Sequence, residues 1–90
     1  MKYIKIKEQS DYDENGNCAI QTKYQLYYDN KKKEIYSYDS YFNGKRDLKI
    51  YDEHDMKIMH YINIEKNTTC EHDDTIDQKF IKLIFEIFDI

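Results

Sequence analysis

Thr75-Ile-Asp-Gln-Lys-Phe-Ile-Lys-Leu-Ile-Phe-Glu-Ile-Phe-Asp-Ile90 carries the one clear helical period in a chain that otherwise alternates like strands. Wound at the helical repeat, Ile90, Leu83, Ile76, Ile87, Phe80, Ile84, Phe88, Ile81 and Phe85 cover an arc of about 220°. Gln78, Asp89, Lys82, Glu86 and Lys79 fill the remainder, and Asp77 alone intrudes on the apolar side. One flank of that arc can lie on a sheet. The other flank, Ile81, Phe85 and Phe88, then needs a second covering surface, either another copy of the chain or a different protein. Thr75 with Gln78 three residues on has the form of a capping box, and Asp73, Asp74 and Asp77 stand at the positive end of the helix dipole. The expected helix runs over about 75–89.

Upstream the period changes from 3.6 to 2. Strands are expected over about 2–8, 18–28, 33–42, 47–51 and 57–65. In the first, Ile4 and Ile6 share a face. In the second, Cys18, Ile20, Thr22, Tyr24, Leu26 and Tyr28 do so. The third places Tyr36, Tyr38 and Phe42 opposite Ile35 and Tyr41. The fourth turns Leu48 and Ile50 inward. The fifth, which a helix could replace over part of its length, aligns Ile58, His60, Ile62 and Ile64. Asn15-Gly16 and Asn43-Gly44 are hairpin signals, because both central residues of a type I′ turn need positive φ. Residues 66–74 are expected as a polar loop. The expected fold is one α+β domain over 1–90. It is an antiparallel meander of four to five strands with one C-terminal amphipathic helix packed on a face.

Composition narrows the function classes. The 90 residues carry a net charge of −4, which argues against direct nucleic-acid binding through phosphates. There is no Val, one Ala, one Arg and much Ile, Lys, Asn, Tyr and Asp, the bias of an AT-rich bacterial genome or of a mobile element within one. The N-terminus has no apolar run of signal-peptide length, and 80–90 is too short and too charged to span a bilayer. A cytoplasmic protein with reduced Cys18 and Cys70 is the expectation.

Four patterns are candidates for chemistry. Asp11-Tyr12-Asp13-Glu14-Asn15-Gly16 resembles the start of an EF-hand calcium loop, which implies Asp11, Asp13 and Asn15 as oxygen ligands. Its twelfth position is Thr22 where that family has a bidentate Glu, and its flanks read as strands, so a hairpin turn is the simpler expectation and no metal is assigned. Tyr12 to Asn17 also looks like one unit of the tyrosine-aspartate repeats of bacterial surface proteins. Cys70, His72, His54 and His60 lack zinc-site spacing. Cys70 beside His60 or His72 lacks the flanking signature of a nucleophile. No enzyme, and no cofactor, is expected.

The ten tyrosines are the remaining excess. Tyr24, Tyr36 and Tyr38 are expected to form an aromatic sheet face, which suits either a protein interface or stacked bases. The acids cluster at 11–14, 52–55 and 71–77. In the expected meander, with 57–65 as its fifth strand, the first and third lie at one end. Asp11, Asp13, Glu14, Asp73 and Asp74 would form an acidic rim for a basic partner.

The expected function is therefore a small acidic protein-binding module with a bacterial protein as target, compatible with homodimerisation. A phage or mobile-element inhibitor of a defence or nucleic-acid-processing enzyme fits, acting by steric block or nucleic-acid mimicry. Anti-CRISPR proteins are similar in size and charge. An immunity protein against a toxin and a single-stranded nucleic-acid binder are the alternatives.

Overall fold

Two-residue turns set the architecture. Asp29-Asn30 takes φ of 52° and 59°, and Asn43-Gly44 takes 47° and 76°. Positive φ at both central residues is the type I′ arrangement, whose twist matches that of the strands it joins. In the computed structural model, which describes residues 3–12 and 15–90, these turns link β2 (Cys18–Tyr28) to β3 (Lys31–Phe42) and β3 to β4 (Lys45–Tyr51). β1 (Tyr3–Tyr12) precedes them, and β5 (Lys57–Ile64) and β6 (Asn67–His72) follow. All six strands form one antiparallel sheet in the order β1-β2-β3-β4-β5-β6. α1 (Gln78–Phe88) ends the chain order. The fold is α+β.

The sheet has six strands rather than four or five. β6 lies in the stretch expected as a polar loop, and its residues are exposed except the half-buried His72. A strand that buries no face has no alternation of apolar residues to reveal it. Its support is the ladder to β5, from Met59 opposite His72 to Ile64 opposite Asn67. Residues 57–64 are strand, not helix.

Directly opposed residues of antiparallel strands share a face. Tyr24 opposes Ile35, Ser37 opposes Ile50, and Leu48 opposes both Asp39 and Tyr61. That face is covered by α1. Leu26, Ile35, Leu48 and Ile50 are wholly buried there beneath Phe80, Leu83 and Ile84. Burying each such side chain stabilises the fold by about 1.5–3 kcal/mol relative to exposure.

Two bulges reassign faces that simple alternation gets wrong. Ile50 opposes Met59 but Tyr51 opposes Lys57, so Ile58 is an extra residue. Ile58, Met59 and Tyr61 are buried while Ile64 is 46% exposed, which corrects the expected alignment of Ile58 with Ile62 and Ile64. In β1, Lys5 opposes Tyr24 and Lys7 opposes Lys23, which leaves Ile6 as the extra residue. Tyr3, not Ile4 or Ile6, packs against the core.

The helix is shorter than expected and starts differently. Asp77, not Thr75, is the N-cap, and its carboxylate accepts the Lys79 N–H at 2.9 Å. Thr75 is held in a turn before it, donating from both N–H (2.9 Å) and hydroxyl (2.7 Å) to Asp73. Asp89 adopts the left-handed conformation and ends the helix, with the Ile90 N–H reaching the Phe85 carbonyl at 3.0 Å. This is the 6→1 bond of a Schellman motif.

Each end of α1 is clasped to the sheet. At the start, the Tyr28 hydroxyl donates to Asp77, and the Tyr28 and Phe80 rings lie 5.4 Å apart. That hydrogen bond to the carboxylate pushes the Tyr28 phenol up to about 12 and holds Asp77 below the usual carboxylate value. At the end, Arg46 donates to the Phe88 carbonyl at 3.2 Å and to both Asp39 oxygens at 3.1 and 2.9 Å. Its guanidinium lies 5.4 Å from the Tyr41 ring centre and 5.8 Å from that of Tyr61.

The broad apolar arc of α1 is met largely within the chain. Ile81 is 2% exposed and Phe88 9%, while Phe85 is half-buried. Tyr24 packs edge-on to Phe88 at 5.4 Å. The second surface that Ile81 and Phe88 require is thus the sheet itself, which corrects the sequence argument that they need a partner. No helix among the described residues is long and apolar enough to cross a membrane.

Candidate functional site

The face of the sheet turned away from α1 has no covering layer among the described residues. The strand register carries one row of side chains across all six strands: Gln9, Gln21, Tyr38, Lys49, His60 and Glu71. The adjacent row is Lys7, Lys23, Tyr36, Tyr51 and Lys57. The β1–β3 part of both rows, with Tyr51, borders a shallow groove of about 520 Å³, lined by Lys7, Gln9, Gln21, Lys23, Tyr36, Tyr38, Tyr51 and Asp55. Phe42 and Ile64, toward one end of the same face, are also exposed.

The groove is polar at its walls and aromatic along its floor. Lys23 stands 5.6 Å above the Tyr36 ring centre and pairs with Glu34 at 3.2 Å, and that hydrogen bond raises its pKa. The Tyr36 hydroxyl donates to the same carboxylate at 3.4 Å. Beside the groove His60 Nε2 lies 2.7 Å from Asp47 Oδ1, with both side chains half-buried. A carboxylate in that position fixes the imidazole ring and its tautomer.

A thiol nucleophile does not join that pair. Cys70 opposes Tyr61 and therefore belongs to the other face, and burial pushes its thiol up, away from the reactive thiolate. Cys18 and Cys70 are both free. No group of three or more His, Cys, Asp or Glu among the described residues is placed to hold a metal ion.

The expected aromatic face divides. Tyr36 and Tyr38 line the groove, whereas Tyr24 lies on the covered side against Tyr3 and Phe88. Burial raises the Tyr24 pKa. Tyr51 replaces it in the groove. Tyr51 follows the core residue Ile50 and shares the parity of Lys49, which puts it on the open face, and the register places it directly opposite Tyr36.

The expected acidic rim also divides. The sixth strand reverses the chain once more, so Asp73 and Asp74 lie at the end of the sheet that holds Asp29 and 52–55, opposite the end that holds Asp11. The Asp73 N–H bonds to the Ile58 carbonyl at 3.0 Å, near the start of β5. Hydrogen bonds from Thr75 lower the Asp73 pKa. Asp11 accepts from the Tyr12 N–H at 2.8 Å. Asp13 and Glu14 lie outside the described residues, so the calcium-loop resemblance is represented by Asp11 and Asn15 alone.

Compared with protein-family models, curated proteins and solved structures, the chain gives no match.

Proposed function

We propose that this protein is a binding module that receives a partner protein on the open face of its sheet. The observation that supports this best is the uncovered groove, in which Tyr36, Tyr38 and Tyr51 are set among Lys7, Lys23 and two glutamines. Tyrosines among mixed polar groups are characteristic of protein interfaces, because each ring offers a large rigid contact area and a polar tip. The acids at 52–55 and 73–77 add a charged end that would steer a basic partner toward the groove. A mobile-element inhibitor of a bacterial defence or nucleic-acid-processing enzyme remains the setting that composition favours.

The test is affinity capture from an AT-rich bacterial lysate with three baits: the parent, Tyr36→Ala/Tyr38→Ala, and Lys82→Glu on the exposed side of α1. Loss of one stoichiometric protein from the groove variant alone supports the proposal. Equal capture by all three removes it.

A second reading is favoured by the same groove. Lys7, Lys23 and Lys49 stand beside three tyrosines, an arrangement that also suits stacked bases and phosphates of a single strand. Fluorescence anisotropy with a labelled oligonucleotide at low salt separates the two, because only the second gives a salt-sensitive titration that the Tyr36→Ala/Tyr38→Ala variant abolishes.

A further inference from the structure

The geometry points to β1 as a self-pairing edge: two copies of this chain join antiparallel through Tyr3–Tyr12 about a two-fold axis. Among the described residues β1 has a neighbour, β2, on one side and none on the other. The strand is ten residues long and exposes Ile4 (38%) and Ile6 (48%). The outward-facing backbone groups of an edge strand of that length are a template for another strand. The bulge decides which strand fits it. A regular partner would be one residue short at Ile6. A second copy related by a two-fold axis contributes its own extra residue at the same place, so the ladder counts equally on both sides.

The bulge also decides the register. Antiparallel partners must share a face. Lys5 and Glu8, three residues apart, would lie on opposite faces of a regular strand. Here Lys5 opposes Tyr24 and Glu8 opposes Thr22, so both point to the helix-covered side. With Ile6 set against Lys7 of the second copy, Lys5 meets Glu8, Ile4 meets Gln9 and Tyr3 meets Ser10, each pair on one face. The two-fold axis makes the Lys5–Glu8 pairing twice. Within one chain these two side chains already close an ion pair at 2.6 Å while remaining half exposed, so both are accessible for exchange across the axis. The pairing would extend the open face into one surface of twelve strands.

Light scattering coupled to size exclusion, over a range from micromolar to near-millimolar concentration, tests this. The parent is expected as a dimer at the upper end. Lys5→Glu alone and Glu8→Lys alone should each weaken dimerisation roughly tenfold to hundredfold, because two unlike pairs become like pairs. An equimolar mixture of the two single variants should restore the dimer as a heterodimer, as should the double variant K5E/E8K. Circular dichroism confirms that each variant is folded. A parent that stays monomeric throughout, or single variants that dimerise as well as the parent, overturns the inference.

Discussion

Arg46 ties the end of α1 to the sheet, and the Arg46–Asp39 pair is where stability is most open to a quantitative test. The two side chains are 19% and 15% exposed. An exposed ion pair contributes about 0–1 kcal/mol, whereas removing one partner of a buried pair costs about 3–5 kcal/mol. For a pair with four-fifths of its surface covered, Arg46→Met should cost about 2–3 kcal/mol, because it strands the Asp39 carboxylate and frees the Phe88 carbonyl. Asp39→Leu should cost about 2 kcal/mol, less because the guanidinium keeps its carbonyl acceptor and its two rings. The double variant leaves no unpaired charge, and its cost should fall to about 1 kcal/mol or less. Urea unfolding followed by circular dichroism reads all four proteins, and equal m-values keep the comparison valid. If the double variant loses the sum of the two single losses, the pair is not coupled and the clasp argument fails.

Tyr28 predicts an alkaline response. Its folded-state pKa of about 12 lies above the ordinary phenol value near 10. The contribution is therefore complete below about pH 10 and is lost as pH rises toward 12. Thermal melts at pH 9 and pH 11.5 should show a smaller alkaline drop for Tyr28→Phe than for the parent; an identical drop would sink the assignment. The bulge at Ile58 predicts that Ile58→Ala costs about 2–4 kcal/mol and Ile64→Ala less than about 1, although both fall on one face under strict alternation. Chemical denaturation of the two variants decides it, and similar losses would mean that the bulge does not place Ile58 in the core.

What was legible in the sequence follows from where each element buries its side chains. β2 alternates cleanly because one of its faces lies under α1, and the Asn43-Gly44 turn is readable because few other dipeptides adopt positive φ twice. The Glu65-Lys66 turn carries no such signal, since Glu65 takes a φ of 53° that Glu seldom adopts. β6 was therefore hidden on two counts, by an unmarked turn before it and by exposed side chains along it. Missing one strand misplaced Asp73 and Asp74 by the length of the sheet. The helix was legible, but its cap was not. Thr75 and Asp77 both have capping side chains, and only Asp77 is also within reach of Tyr28. Groove membership was half legible: Tyr36 and Tyr38 share a strand and a parity, whereas Tyr51 enters through its pairing with β3.

The chain order of the fold has a consequence for its synthesis. Each strand pairs with the one made just before it, so the sheet can grow by successive hairpins with short loop closures. The helix comes after all six strands. A nascent sheet therefore presents Leu26, Ile35, Leu48 and Ile50 to water, or to a chaperone, until α1 has left the ribosome. The seal over that face therefore arrives in one late step, after the strands that it covers have been made.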